Sequence, residues 1–268
     1  MSGPSAVVDG TMVYFNPRHS HAVFACNAEK LDQQIWYTLP QCPRKCSSLA
    51  VVGGDLTTVG GLMDWEVTGQ LFSLTGERKW EEHFPPLPTK RYNAAVVCRG
   101  NSLVVAGGET EGSSELDTVE VMDTETLQWS TASSLPFAFP NVAATVCEDR
   151  VYMVGYTKAV LACSLTDLLQ SNLQTVWYQV ARLPVRSATC ASLCGQLLAV
   201  GGINDAKNRT TAVHQYNPVT NSWEVISHMS VARSSSLVAV LPGHKLMVVG
   251  GWINRTDETD MVEIAELL

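Results

Sequence analysis

Long apolar runs are missing from this 268-residue chain: no window approaches the ~18 uninterrupted apolar residues of a membrane-spanning helix. Its opening, MSGPSAVVDG, lacks the basic and apolar regions of a secretion signal, so a soluble, cytoplasmic protein is expected, with no membrane partner. Basic residues are also scarce, with 18 Lys and Arg against 26 Asp and Glu and a formal charge of −8. Affinity for a polyanion rests on clustered cations, which argues against nucleic acid as a partner. Catalytic signatures are absent too: there is no Gly-x-Ser-x-Gly elbow, phosphate loop or zinc pattern. His19 and His21 form one His-x-His, but no third ligand is set by sequence, and a solvated loop is the simpler reading. Neither an enzyme nor a cofactor is expected.

Charged residues make up only 16% and the hydrophobic set 46%, a balance that excludes disorder and calls for a well-buried interior. One globular unit spanning 1–268 accommodates this length if the fold is a closed all-β type. Eight cysteines suggest disulfides, yet Cys98, Cys147 and Cys194 each sit just before a turn, as one column of a repeat. The Cys42/Cys46 and Cys190/Cys194 pairs would lie about 13 Å apart if extended, beyond the ~7 Å reach of a bridge. They read as reduced core thiols.

Against these absences stands a regular beat. Pro40, Pro88, Pro136 and Pro184 fall 48 residues apart, each after a leucine. A fixed period of this length means repeated supersecondary units that bury their faces against neighbours. In register, each unit shows an apolar segment, a tight turn, a second apolar run, a variable loop, a third segment and a Trp-bearing fourth. The second runs are 12–15, 56–59, 103–106, 151–154, 197–200 and 246–249. They predict six four-stranded propeller blades, at about 5–40, 41–88, 89–136, 137–184, 185–230 and 231–268.

Glycine pairs close the second strand at Gly60/Gly61, Gly107/Gly108, Gly201/Gly202 and Gly250/Gly251, whereas unit four has Gly155/Tyr156 and unit one Phe15/Asn16. Glycine there permits positive φ and close backbone approach, so a larger residue at Gly107 should clash. Trp36, Trp80, Trp129, Trp177 and Trp223, spaced 44, 49, 48 and 46 residues, mark the fourth strands and are expected in the core between blades. In unit four, Ser164 to Gln174 replaces the tight turn with a segment long enough for one helical turn. Unit six has no Trp-bearing fourth strand, so either its blade has three strands or the sequence is a piece of a longer chain.

The runs SLVVAGG, QLLAVGG and KLMVVGG, with the third-to-fourth-strand segments TVEVMDTETLQW and AVHQYNPVTNSW, closely resemble kelch-repeat propellers over nearly the whole length. The resemblance implies an all-β, six-bladed kelch-type β-propeller whose binding face carries the loops entering strand one and following strand two. It is similar to kelch substrate adaptors of ubiquitin ligases, where arginines at the strand-one entry meet acidic peptides. Arg44, Arg91, Arg186 and Arg233 match that entry, with Pro140 in unit four. A guanidinium cluster suits bidentate capture of carboxylates. The competing reading is that each arginine bonds the carbonyls of its own loop.

The loops after the glycine pairs vary most, and Trp65 and Trp252 in them fall outside the core tryptophan column. Together with Tyr92 and Asn204 they complete the expected partner-binding set. The function expected is a protein-protein interaction module for a peptide or protein segment of acidic character, with small molecules disfavoured. The alternative is a carbohydrate-binding or sugar-active propeller stacking a ring on Trp65 or Trp252. Kelch-like enzymes exist, but the Glu-x3-Asp-x3-His spacing of the iron-dependent specifier proteins is absent here.

Overall fold

The computed structural model describes residues 5–17, 20–33, 35–170 and 175–266. Alternating and continuous apolar runs, each ended by a turn, fold into six antiparallel sheets, five of four strands and one of three. Within every sheet the strands pair in sequence order, as short connections require. The innermost strands are Ser5–Asp9, Ser48–Val52, Ala95–Arg99, Ala143–Cys147, Thr189–Leu193 and Leu237–Leu241. Each neighbours the next, and the sixth lies against the first, so the ring closes. These strands bond across blades: the Ser48 hydroxyl donates to the Ala94 carbonyl at 2.7 Å and that of Thr189 to Ser236 at 2.7 Å. Small side chains along the axis leave a channel cavity of only about 90 Å³.

The glycine pairs do what a tight blade contact demands. Gly107 has φ +62°, and a Cβ there would stand 2.4 Å from the Phe139 carbonyl oxygen of the next blade, so only glycine fits without displacement. A leucine following the fourth strand, or in blade 5 a methionine within it, packs on the same glycine: Leu87 over Gly60, Leu135 over Gly107 and Met229 over Gly201. Burial of one such side chain contributes roughly 1.5–3 kcal/mol. The predicted helical turn in blade 4 is a short helix, Leu165–Leu169, capped by the Ser164 hydroxyl, which accepts from the Asp167 N–H at 3.1 Å.

The tryptophan column is a set of clasps. Trp80 Nε1 donates to the Pro40 carbonyl, Trp129 to Pro85, Trp177 to Ser133 and Trp223 to Ala181, at 2.9, 3.1, 3.1 and 2.8 Å. Each joins the outer strand of one blade to the outer edge of the blade before it. Trp36 departs from the expectation of a core residue: it is 39% exposed. Among the described residues the neighbouring blade 6 has three strands, the last of them Val262–Glu266. Beside Trp36 lies an apolar cavity of about 400 Å³ walled by Phe15, Trp36, Leu237, Val262 and the Gly250–Gly251 pair.

All cysteines among the described residues are free thiols. Burial pushes the Cys163 and Cys190 thiols up to about 12, so both stay protonated and unreactive.

Candidate functional site

The loops that enter strand one bridge to the loops that follow strand two: Lys45 with Leu62, Tyr92 with Glu109, Arg186 with Ile203, and Ser234 with Trp252. Both loop sets therefore share one face, and the expected contact residues are found there. Their roles differ sharply.

Arg91 and Arg233 are buried at 1% and 0% exposure. The Arg91 guanidinium donates to the Gly107 and Thr118 carbonyls at 2.9 and 3.1 Å and pairs with Glu120 at 3.0 Å. Arg233 repeats this with the Gly250 and Met261 carbonyls at 3.0 and 2.9 Å, and with Glu263. Each arginine ties the end of strand two to the start of strand three in its own blade. Arg44, 1% exposed, occupies the same slot, with Nη2 donating to Gln70 Oε1 at 2.7 Å and its guanidinium 4.5 Å above the Phe72 ring. Burial without a directly bonded carboxylate lowers its pKa, and its Nε and Nη1 have no partner. The expected cluster of four arginines at the mouth is thus corrected: three are internal, Arg91 and Arg233 satisfying backbone carbonyls of their own blades and Arg44 the side chain of Gln70.

Arg186 differs because it sits one residue further along. Its bridge to Ile203 makes it the counterpart of Lys45 and Tyr92, and the slot of the buried arginines is filled in blade 5 by Val185, 3% exposed. Side chains alternate along extended backbone, so a one-residue offset turns the group outward. Arg186 Nη1 donates to the Tyr156 hydroxyl at 3.0 Å with its guanidinium 5.4 Å from that ring.

Of the aromatic candidates, Trp65 is 86% exposed at the tip of the blade 2 hairpin, where Asp64 and Trp65 both adopt positive φ, 51° and 71°. Trp252 is half-buried and walls the cavity between blades 6 and 1. Asn204 serves its own loop, its side-chain oxygen accepting from the Asn208 N–H at 3.0 Å. Tyr92 donates to Glu109 at 3.2 Å; burial first, and Glu109 further, push its hydroxyl above the ordinary tyrosine value, so it stays a donor.

Two features escaped the sequence reading. Glu109 is a hub: beyond Tyr92 it accepts from Asn93 at 3.1 Å and from Asn141, an entry residue of the next blade, at 2.8 Å. On the variable loop of blade 5, the Arg209 Nε is buried without a partner, and burial first, then the charge of Arg255 on the blade 6 loop, lowers its pKa. The Asn-x-x-x-Asn turn around Arg209 is readable in sequence; the burial of its Nε is not. Of the His-x-His pair, His19 lies outside the described residues, and His21 Nδ1 meets the Cys42 carbonyl at 2.7 Å. Among the described residues no three His, Cys, Asp or Glu side chains gather as a metal site, and no helix is long and apolar enough to cross a membrane.

The family model described as the KLHDC2/KLHL20/DRC7 Kelch-repeats domain matches residues 47–251. The chain belongs to the kelch-repeat family. It is 21% identical over 91% of its length to Kelch repeat and BTB domain-containing protein 1 of camelpox virus, and 25% identical over 79% to Kelch-like protein 41b of Danio rerio. Human Kelch-like protein 35 is 30% identical over 60% of the chain. The kelch domain spans 44%, 36% and 27% of those three relatives, less than half of each. The solved structure of YjhT superposes with a TM-score of 0.78 at 15% identity, covering 97% of this chain and 93% of that one, a likeness of fold alone.

Proposed function

We propose that this kelch domain is a non-enzymatic interaction module that holds a protein or peptide segment against its loop face, with acidic residues of that segment seated on Arg209, Arg255 and Arg186. Membership of the kelch family supports the interaction role. The observation that carries the acidic preference is the Arg209 Nε, buried without an acceptor on a loop where Ile203 bridges both Arg209 and Arg186. Such an arrangement is costly in isolation and is relieved by a carboxylate, which suits the planar fork of guanidinium. Rigid blades hold these groups in place, so a flexible segment meets a preformed site and less ordering opposes docking.

The test titrates labelled Glu/Asp-rich, neutral and basic peptides against the wild type and an Arg186/Arg209/Arg255→Ala variant, read by fluorescence anisotropy. The acidic peptide should bind best, and the variant should weaken it roughly tenfold or more while unfolding as the wild type does. Equal binding of acidic and neutral peptides, or full retention by the variant, would sink the reading.

A further inference from the structure

Across the ring from Arg209 and Arg255, the loop face is rich in carboxylates. The loops of blades 2 and 3 carry Asp64, Glu66, Glu109, Glu111, Glu115 and Asp117. Between them lies a cavity of about 730 Å³ whose walls include Trp65, Glu66, Tyr92, Asn93, Glu109 and Asn141. Three properties define what it can hold. First, the Glu109 carboxylate is immobilised by neutral donors only, Tyr92, Asn93 and Asn141 at 3.2, 3.1 and 2.8 Å, and among the described residues no lysine or arginine pairs with it. Second, the Trp65 ring is 86% exposed and borders the cavity, with Tyr92 as a second aromatic wall. Third, that indole already attracts a cation: Lys45 Nζ lies 5.9 Å from the ring centroid, although Lys45 is not among the cavity's lining residues.

A fixed carboxylate at the base and aromatic faces on the walls are what a long cationic side chain requires. Its methylene stem lies along the rings while its charged head meets the carboxylate and the ring quadrupole. An acidic side chain would face an uncompensated like charge in the same place. A sugar would find one exposed ring, but no reason for a carboxylate held by three donors.

We infer that this cavity is the seat of a lysine or arginine side chain from the bound segment. The inference rests on the proposal that the loop face binds a protein segment. It adds that the segment is charge-asymmetric, basic over blades 2 and 3 and acidic over blades 5 and 6. Glu109 and Trp65 are then the residues that select its basic end.

The seat can be probed with single residues, independently of any acidic peptide. N-acetyl-arginine amide and N-acetyl-lysine amide are titrated into ¹⁵N-labelled protein, with N-acetyl-norleucine amide as the uncharged control. Trp65 indole and Asn93 and Asn141 side-chain signals are followed. The cations should give saturable shifts at these signals, and Trp65→Ala and Glu109→Gln should each weaken binding by about three- to thirtyfold. Trp65 is nearly all in solvent, so Trp65→Ala keeps the fold and decides the matter even if Glu109→Gln does not. Absence of saturable shifts with both cations, equal shifts with norleucine amide, or unchanged affinity in Trp65→Ala overturns the inference. An Arg209/Arg255→Ala variant separates the two ideas: it should lose the acidic peptide and keep the cation. If cations bind while acidic peptides do not, the acidic corner fails alone.

Discussion

Blades 3 and 6 and blade 5 each carry an arginine just before strand one, yet Arg91 and Arg233 are internal ties while Arg186 reaches the surface. Two local differences account for this. Arg186 lies one position later along the entry, and the third-strand residue that would face a buried arginine also changes. Glu120 pairs with Val105 across the ladder and Glu263 with Val248, so blades 3 and 6 present a carboxylate. The equivalent position opposite Ala199 is His214, buried, with a pKa lowered by desolvation first and then by His228, hence neutral. Blade 4, with Phe139 in the slot, has Leu161 there. In blades 3 and 6 a buried guanidinium thus meets an ionised acceptor, and in blades 4 and 5 an aromatic or aliphatic side chain takes the slot. Blade 2 departs from this: the position opposite Thr58 is Phe72, and Arg44 lies buried over that ring while donating to the neutral Gln70.

The largest expected effect comes from breaking the tie in blade 3. Glu120→Ala leaves Arg91 buried with only neutral carbonyl and hydroxyl acceptors and should cost about 3–5 kcal/mol. It would appear as a lower urea midpoint at unchanged m-value. The double change Arg91→Met with Glu120→Leu should cost much less, and equal costs would mean the pair is not what makes the site sensitive. Next in size is Gln70→Glu, which gives Arg44 a carboxylate from a neighbouring third-strand position. A gain of about 1.5 kcal/mol is expected from one charge-assisted bond, checked by the same denaturation curve; a loss would show that blade 2 compensates its arginine by other means.

The smallest effect is the acid limb of stability. Burial alone would raise Glu263, but bonds from Ser230 and the nearby Arg233 outweigh it and hold the carboxyl below its usual range. A depressed pKa means stabilisation that is present above the unfolded value, about 4.3, and is lost as pH falls through the lower folded value. Denaturation midpoints from pH 6 down to 3 should therefore fall more steeply in the wild type than in Glu263→Gln. Parallel curves would remove Glu263 from the acid response.

Much of the architecture was legible because it rests on local, periodic chemistry. The Leu-Pro beat, the glycine pairs and the tryptophan spacing each express a short-range need: a turn, a close approach, a clasp. Even the helical turn after Ser164 and the three-stranded sixth blade could be read from segment lengths. The site was far less legible. Arg186 sits next to a Val in the slot where blades 2, 3 and 6 place arginine, and only bridge pairing reveals the offset; aligning Ala94 with Ala188 instead of counting from each proline would have exposed it. Trp36 resembles its four counterparts in sequence, yet it is exposed, and among the described residues the blade beside it has no fourth strand. The Glu109 hub joins residues 93, 109 and 141 from two blades, a contact without any signature along the chain.

Sequence alone determined that this chain repeats a four-stranded unit, because side-chain alternation, glycine conformations and tryptophan spacing act within and between adjacent segments. Tertiary structure decided which charges remain available to a partner. Whether an arginine is internal or exposed depends on a residue some thirty positions away across a ladder, and on the single-residue register that turns its side chain inward or out.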